Sequence, residues 1–440
     1  MIDAHGSSVT LSGHRLKRLR EARGASQEDV AGVLGCSVEE LYRIEKSFVQ
    51  CSCEKISAVK EFFGIDGMPL LDEEADTFRE RLYLWRDYIK NRQLNEAAEL
   101  QEIISPITDF PLEPNLSMLY NMFEVILLMV EGKLDIAEER LKAHGKYLVD
   151  MEDADIENSF HYYRNIGSLR LFQGRREEAL ESYLKALAFG ETKDELLKDD
   201  GALFYNIASC YSNLHLPHHA IAFLQKIKWF EDDRTKKFKL QLDNIMAVNY
   251  LRLNMTKEAK DLLDSCMARA KAAHDKASIA IVLHNFGVLN WTSESWEEAI
   301  NYFDKVFSYC REWDGLYLET LYHKLMCLIR MSEHRSVELL IEQAKDSYEG
   351  DAKYSLLFES LNCVMILNRE TTVHASKAAD YLETVAIPRL TEIYEYSKAI
   401  DLYKILCEHH QKAGNLNWPM KISEVIMNVY IKMLYGGGRK

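Results

Sequence analysis

Residues 13–65, GHRLKRLREARGASQEDVAGVLGCSVEELYRIEKSFVQCSCEKISAVKEFFGI, divide into short helical segments whose ends are visible in the sequence. Ser26 and Ser37 are good N-caps, and each is followed at the third position by an acid, Asp29 or Glu40. Gly35 provides the tight turn between the two helices that these serines begin. Two helices joined by a short glycine-containing turn predict a helix-turn-helix unit.

Apolar residues at helical spacing predict one small core for this unit. They come from the helix before Gly24, from the helix after Ser37 and from a last helix, and they are Leu16, Leu19, Leu41, Ile44, Ile56, Val59, Phe62 and Phe63. The pattern predicts a small all-helical domain over residues 1–68, followed by a linker over residues 69–78.

Within this domain, the segments GxxLKxLR, SQxxVA, LGxS and RIE resemble the helix-turn-helix of phage-repressor and xenobiotic-response-element type regulators. The resemblance implies that Ser37 to Lys46 form the recognition helix, which lies in the major groove of DNA. It implies DNA contacts from Gln27, Ser37, Val38, Glu39, Tyr42, Arg43 and Lys46. Arg43 is expected to read guanine by a bidentate contact, whereas Glu39 and Glu40 repel phosphate.

The same resemblance carries two structural expectations. An arginine of the first helix pairs in that family with a glutamate that ends the recognition helix, and Arg20 and Glu45 occupy those places. The glycine that usually follows the RIE segment is here Ser47. A domain that only dimerises or binds protein is the alternative interpretation. Cys51 and Cys53 indicate a plain loop, with a redox pair as the alternative.

Composition limits the class of the whole chain and its partners. Only seven prolines in 440 residues favour helix throughout. The net charge of −15 lies outside residues 1–64, which hold nine basic and nine acidic residues, so only the N-terminal part suits a phosphate backbone. The longest apolar run, Val125 to Val130, is too short to span a bilayer.

Several kinds of signal are missing from the sequence. The N-terminal residues contain no signal-peptide core, and the nine cysteines are scattered, which predicts a cytoplasmic protein with reduced thiols and no membrane partner. No GxGxxG, GxxxxGK[ST], HExxH or GxSxG motif occurs. We therefore expect no enzyme, no cofactor and no metal site.

A repeat of about forty residues runs from residue 75 onward. Its marker is a small or helix-starting residue that follows a polar turn, found at Ala97, Ala137, Ala179, Ala220, Ala259, Ala299, Val337, Ala378 and Pro419. Turn residues Gly132, Gly174, Asn254 and Gly414 stand five positions before a marker, where a left-handed backbone is needed. The period predicts about nine helical hairpins over residues 79–435, wound as a right-handed superhelical tetratricopeptide-like solenoid, with a disordered tail over 436–440.

The first helices of this array are expected to line a concave channel. Asn165, Asn206 and Asn285 recur in the triplets NIG, NIA and NFG, and an asparagine amide can both donate to and accept from a peptide backbone. The predicted peptide-binding residues are His161, Arg164, Asn165, Tyr205, Asn206, Asn244, His284 and Asn285. The alternatives are an asparagine that is merely common at this position and an Arg164 that is a surface charge.

Other features of the array have plainer interpretations. Aromatic residues at helical spacing, Tyr162, Tyr163, Tyr183, Tyr211, Trp296 and Phe303, are more typical of a core than of a ligand cage. The stretch around Trp418 and Pro419, with Ile422, Val425, Ile426, Tyr430 and Met433, indicates a cap or a dimer contact.

A repressor-type domain followed by about nine such hairpins resembles the peptide-pheromone receptors of the Rgg, NprR, PlcR, PrgX and Rap types (RRNPP), in particular the NprR-like branch. The resemblance implies a cytoplasmic, homodimeric quorum-sensing regulator that binds promoter DNA and is switched by a short imported signalling peptide. Two alternatives stay open. One is a Rap-like protein that binds or dephosphorylates a response regulator through residues 75–110, with Gln93 and Gln101; the other is a scaffold for folded proteins.

Overall fold

The computed structural model describes residues 13–49, 51, 53–65, 72–105, 114–150, 155–198, 201–227, 233–310, 315–369, 373–393 and 395–414. Within these ranges every regular element is a helix, so the predicted all-α class is confirmed. None of the described helices is both long and apolar enough to cross a bilayer. The chain forms two compact units, Met1–Arg175 with Glu181–Lys198, and Arg176–Leu180 with Asp199–Lys440.

The first unit begins with the helix-turn-helix domain, whose helices are α1 (Gly13–Ala22), α2 (Gln27–Leu34), α3 (Val38–Glu45) and α4 (Cys53–Phe63). Both predicted N-caps are present. Ser26 forms a complete capping box with Asp29, and the Ser37 hydroxyl accepts from the backbone N–H of Glu40 at 3.1 Å. Gly35 ends α2 in the left-handed conformation, with φ +61°.

One predicted core residue of this domain is wrong. Phe62 is 50% exposed, whereas Phe63 and Ile65 are buried with the other predicted core residues. Helix α4 ends at Phe63, and the chain then turns through Gly64 at φ +65°. That turn carries Ile65 into the core and leaves Phe62 on the outer face.

Helical hairpins make up the rest of the first unit. They pair α5 (Asp72–Lys90) with α6 (Leu94–Ile104) and α7 (Pro114–Val130) with α8 (Leu134–Asp150), and they are followed by α9 (Ile156–Phe172), α10 (Arg176–Thr192) from Glu181 onward, and α11 (Glu195–Lys198). Because α5 begins at Asp72, the second part of the predicted linker 69–78 is helical. Lys60 of α4 and Glu74 of α5 form an ion pair.

The second unit continues the hairpin pattern after Arg176–Leu180. Its pairs are α12 (Gly201–Asn213) with α13 (Pro217–Lys226), α14 (Asp233–Arg252) with α15 (Thr256–Ala272), α16 (Lys276–Thr292) with α17 (Trp296–Val306), α18 (Gly315–Arg330) with α19 (His334–Tyr348), and α20 (Ala352–Arg369) with α21 (Val373–Tyr381). A π-helical turn, Leu382–Ala386, joins α21 to α22 (Ile387–Glu392), and α23 (Tyr396–Lys412) follows.

The predicted repeat register agrees with the packing. The eight markers from Ala97 to Ala378 are all buried, and they lie in the second helices of eight hairpins within the described ranges. The ninth marker, Pro419, and the predicted cap from Trp418 to Met433 lie outside the described residues. So does the tail 436–440.

Small residues in the first helices allow close helix packing, as predicted. A Cβ added at Gly167 would lie 2.6 Å from the Tyr183 ring, and one added at Gly287 would lie 2.2 Å from the Phe303 ring. Both rings are fully buried, which confirms the core interpretation of these two aromatics. The other four predicted core aromatics, Tyr162, Tyr163, Tyr211 and Trp296, are half-buried.

Candidate functional site

The outer face of α3 is the candidate DNA-binding surface. Val38, Glu39, Tyr42, Arg43 and Lys46 are all exposed on it, with Tyr42 half-exposed at 50%. The opposite face, with Leu41 and Ile44, is buried in the domain core. The Lys46 ammonium lies 6.0 Å from the centre of the Tyr42 ring. The predicted contact residues of α3 therefore share one accessible helix face.

A buried polar cluster holds α3 against the other two helices. Arg20 Nε donates to Glu45 Oε1 at 2.6 Å and Arg20 Nη2 donates to Glu45 Oε2 at 3.2 Å, so the predicted pair is present. Gln27 Nε2 also donates to Glu45 Oε2, at 3.0 Å. Glu45 is 1% exposed, and its hydrogen bond is the main cause that raises the pKa of Arg20. The cluster fixes α3 in position, since a carboxylate buried without partners is strongly destabilising.

Ser47 takes the backbone conformation that a glycine would adopt. Its φ is +57°, in the left-handed region, two residues after the end of α3. The departure from the family pattern therefore changes the side chain and leaves the turn geometry in place. Of the basic residues near α1, Arg18 and Arg23 are exposed, whereas Arg15 is buried.

The predicted peptide-binding residues of α9 are enclosed within the first unit. Asn165 is 2% exposed, and its Nδ2 donates to the Met122 carbonyl of α7 at 2.6 Å. His161 is buried among Tyr83, Phe123 and Phe160, and its Nε2 lies 3.1 Å from the Tyr83 hydroxyl. Burial, with Arg164 nearby, lowers the pKa of His161 well below its usual range. Arg164 is also buried, so its interpretation as a surface charge is wrong.

Of the residues predicted in the second unit, Tyr205, Asn206 and Asn244 are more accessible, whereas His284 and Asn285 are buried, at 8% and 7% exposed. Tyr205 and Asn206 are half-buried, and the Tyr205 ring packs against Phe238 at 4.7 Å between centres. Asn285 Nδ2 donates to Asn244 Oδ1 at 2.7 Å, which joins the first helices α16 and α14 by an amide pair. The remaining donor and acceptor positions of such a pair suit a peptide backbone.

A pocket of about 360 Å³ lies within this second unit. Its wall comes from the first helices α12, α14, α16, α18 and α20, together with α23 and the start of α10. Val248, Leu251, Val288 and Trp291 form the apolar part. The polar part consists of Arg176, Asn213, His215, Arg252, His284, Asn285, Thr292, Glu319, His323, Lys353, Glu395, Lys398 and Asp401. Polar residues outnumber apolar ones in this lining, so the pocket suits a ligand with many polar groups.

Two lysines of the pocket are neutralised by two glutamates. Lys398 of α23 forms ion pairs with Glu319 of α18 and, at 3.2 Å, with Glu395, while Lys353 of α20 lies 2.7 Å from Glu395. Burial alone would lower the pKa of Lys398, but Glu319 and Glu395 together raise it. At Glu319, burial alone would raise the pKa, but the charge of Lys398 lowers it and holds it well below its usual range. These pairs join α18, α20 and α23.

The pocket histidines are uncharged at neutral pH. Burial is the main cause that lowers the pKa of His215 and of His284 to about 3 each, and it also lowers the pKa of His323. His284 Nδ1 lies 2.8 Å from the Thr320 hydroxyl, and its ring packs against that of His323. His284 and Asn285 are the predicted site residues that line this pocket.

Most of the pocket residues were not predicted, because they lie at other positions of the repeat than the asparagine position that indicated the site. Asn165, Asn206 and Asn285 each stand fourteen residues before their repeat marker. His323 holds the same position in its own repeat, fourteen residues before the marker Val337. Asn213, Arg252 and Thr292 each follow that place by seven residues, two helical turns along the same face. The repeat register carried this signal. Glu395 and Lys398 had none, because they lie at the start of α23, neither at that place nor seven residues after it.

The residues of the Rap-like alternative lie in the first hairpin. Gln93 is exposed just before α6 and its amide donates to Glu96 at 3.2 Å, whereas half-buried Gln101 donates to the Tyr120 hydroxyl at 3.3 Å. The two glutamines therefore have different surroundings, and only Gln93 is fully accessible.

Family models match both parts of the chain. One described as a helix-turn-helix domain matches residues 13–69, and one described as a tetratricopeptide repeat matches residues 160–189. A curated relative, the transcriptional activator NprA of Geobacillus stearothermophilus, is 23% identical over 282 residues, which cover 62% of this chain and 67% of that protein.

Solved structures share the fold at low sequence identity. The apo quorum sensor NprR from B. thuringiensis has a TM-score of 0.65 at 19% identity, covering 82% of this chain and all of that one. NprR with its cognate peptide NprX has a TM-score of 0.64 at 19% identity, covering 80% and 98%. A Rap protein complexed with competence and sporulation factor has 0.64 at 15% identity, covering 82% and 99%.

A helix-turn-helix domain followed by tetratricopeptide-like hairpins with a polar pocket on their first helices defines a class of two-part helical proteins. Within that class, the resemblance of this chain to the RRNPP-type proteins, and to their NprR-like branch, is confirmed.

Proposed function

We propose that this chain is a cytoplasmic transcription regulator that binds promoter DNA and is switched by a short linear peptide held in the second-unit pocket. The pocket on the first helices α12 to α20 is the observation that carries the proposal. The similarity to NprA, a transcriptional activator, and to NprR, crystallised with a peptide, supports both parts. No catalytic role is included.

The DNA-binding part rests on the exposed face of α3. Arg43 and Lys46 are accessible there, and the Arg20–Glu45–Gln27 cluster holds the helix rigidly. Rigid presentation favours specific contacts, because a bidentate guanine contact tolerates little displacement. The acidic Glu39 on the same face suits a cytosine amino group. A homodimer would place two such helices on a palindromic site.

The peptide-binding part rests on the amide pair and its surroundings. Asn244 and Asn285 are already hydrogen-bonded to each other, so they present their remaining groups in a fixed arrangement. Apolar Val288 and Trp291 line the pocket wall together with Asn285 and suit a peptide side chain. Peptide occupancy would alter the packing of α14 on α16, and we propose that this changes the spacing of two DNA-binding domains in a dimer.

Both parts are tested with the full chain. DNA is selected from randomised duplexes, and binding of the selected duplex is measured by fluorescence anisotropy at fixed salt. Arg43→Ala should weaken specific binding about tenfold to a hundredfold, because one bidentate base contact is lost. Arg335→Ala, an exposed residue of α19, is the matched control. Unchanged affinity of the Arg43 variant would remove α3 from the interface.

The switch is tested by adding a randomised heptapeptide pool to the protein–DNA complex. We expect a change in DNA affinity with the wild-type chain and a weaker response with Asn285→Ala. No response to the pool, or an equal response in the Asn285 variant, would contradict the proposed pocket.

A response-regulator partner is the second candidate, and the similarity to a Rap structure favours it. Incubation of the chain with a phosphorylated response regulator measures it directly. Faster loss of the phosphoryl group, abolished by Gln93→Ala, would establish this activity; an unchanged rate would exclude it. Co-purification of a folded partner that occupies the pocket would instead support the scaffold alternative.

A further inference from the structure

The four cations that line the second-unit pocket fall into two kinds. Lys353 and Lys398 are neutralised by Glu319 and Glu395. Arg176 and Arg252 have no ion pair within the described part of the chain. The third carboxylate of the pocket, Asp401, lies 3.7 Å from Lys404 instead. The pocket therefore has a balanced region and a region of uncompensated positive charge.

Arg252 is held in a fixed orientation at this cationic region. Its Nη1 donates to the Ser212 carbonyl and, at 2.7 Å, to the Ser212 hydroxyl. Ser212 is in turn bonded at 3.1 Å by Asn249, one turn before Arg252 on the same helix. The rest of the guanidinium stays accessible, because Arg252 is an exposed residue within the pocket wall. A fixed guanidinium loses little side-chain entropy when it binds a ligand.

The two arginines influence each other. Enclosure by the protein and the neighbouring Arg176 lower the pKa of Arg252 to about 10, so Arg252 remains charged at neutral pH. Two like charges near one another in a pocket are relieved when an anion binds between them. The chain as a whole carries −15, so this pocket region is an exception to its overall charge.

We propose that Arg176 and Arg252 form an anion-binding subsite that takes a carboxylate of the peptide ligand. The inference rests on the proposed peptide-binding function and deepens it. Guanidinium groups bind carboxylates bidentately, and such charge-assisted bonds are stronger than neutral ones. The carboxylate belongs either to the peptide C-terminus or to an acidic side chain. The subsite selects anionic peptides, while the amide pair at Asn244 and Asn285 is indifferent to side chains.

The test uses randomised heptapeptide pools on the immobilised full chain. Four pools are compared: with a free C-terminal carboxylate or an amide, and with or without Asp and Glu in the mixture. Retained peptides are measured by mass spectrometry. We expect retention to fall about tenfold or more in both pools that lack the relevant carboxylate, and the pair of pools in which it falls identifies the source. This comparison needs no variant of the protein.

Variants then locate the effect. Arg252→Gln should abolish the preference for the carboxylate, and Arg252→Lys should restore it only in part, because lysine lacks the planar fork. Arg335→Gln, which removes one exposed charge outside the pocket, should leave the preference unchanged. Circular dichroism and thermal melting of each variant report whether its fold is intact.

The possible failures are distinguishable. Retention of no peptide from any pool overturns the proposed function and the subsite with it. Equal retention of all four pools by the wild-type chain overturns the subsite and leaves peptide binding standing. A carboxylate preference that survives in folded Arg252→Gln and Arg176→Gln variants also overturns the assignment to this pair.

Discussion

The first helices α9 and α16 contain similar triplets at the same repeat position, NIG in α9 and NFG in α16, but the surroundings of the two triplets differ. In α9 of the first unit, Asn165 is buried and bonded to the Met122 carbonyl of the preceding first helix. In α16 of the second unit, Asn285 is also buried, at 7% exposed, but it is bonded to another amide, Asn244, and lines the pocket. One sequence pattern therefore serves packing in one place and a candidate site in the other.

The difference comes from neighbouring side chains. Around α9, Tyr83 and Phe123 fill the space beside His161, and Glu157 binds both the Tyr83 hydroxyl at 2.6 Å and Arg79. Around α16, the pocket is bordered by charged and polar groups, among them Arg252, Glu319 and Lys398. Aromatic side chains fill the space between repeats beside α9, whereas the charged side chains beside α16 line a pocket.

We call the surroundings of α9 the closed region and the pocket beside α16 the open region. The largest expected effect is at Glu157, in the closed region. Glu157→Ala should lower the free energy of unfolding of the first unit by about 3 kcal/mol, because a buried carboxylate with charge-assisted hydrogen bonds is removed. Segment-resolved hydrogen exchange measures the effect in α5, α7 and α9. Glu181→Ala, an exposed residue paired with Lys185, should change stability by less than about 1 kcal/mol. Equal effects of the two variants would show that α9 is not locked by Glu157.

Matched asparagine variants compare the two regions directly. Asn165→Ala should cost about 1–2 kcal/mol of first-unit stability and leave peptide binding unchanged, because it removes a buried hydrogen bond away from the pocket. Asn285→Ala should weaken peptide binding with a smaller loss of stability. Chemical denaturation and peptide-pool retention are measured on both. The reverse pattern would place the peptide in the first unit.

The pH dependence of stability gives a further comparison. His284 has a pKa of about 3 in the folded chain against about 6.5 when unfolded, so the unfolded state binds the extra proton between these values. The stability contributed by the neutral ring is complete above about pH 6.5 and is lost as the pH falls. Each such histidine should lower the free energy of unfolding by about 1.4 kcal/mol per pH unit in that window.

The test compares wild type and His284→Asn between pH 6 and pH 5, where carboxylates stay ionised. Removing the histidine should make the pH dependence of α16 hydrogen exchange shallower. His274→Asn, at an exposed histidine of the same unit, is the control and should keep the wild-type slope. Identical slopes in all three proteins would indicate that the His284 ring is already protonated or hydrated in the fold.

The sequence predicted more of the fold than of the pocket. Caps, turns and repeat markers are local signals, so Ser26, Gly174 and Ala259 were each placed correctly by spacing alone. Whether Asn165 or Asn285 faces open space depends on side chains some forty residues away, which spacing does not encode. The ion pair of Lys398 with Glu319 joins positions 79 residues apart and could not be inferred from the repeat.

The smallest expected effect concerns the turn five residues before each repeat marker. In the closed region the turn residue is Gly174, at φ +75°, whereas in the open region the same place is taken by His215, at φ +57°. A side chain in this conformation costs about 1 kcal/mol relative to glycine. Because His215 also lines the pocket, we infer that a histidine is present in this strained conformation because its ring contributes to the binding site.

His215→Gly should therefore raise the free energy of unfolding by about 0.5–1 kcal/mol and weaken retention of peptides. Glu294 is the matched control, since it stands in the same place of a later hairpin of the same unit at φ +59° and does not line the pocket. Glu294→Gly should give a similar gain in stability and leave retention unchanged. If both glycine variants stabilise the chain and bind peptides equally well, the His215 ring has no part in the site, and its backbone strain is incidental to the repeat.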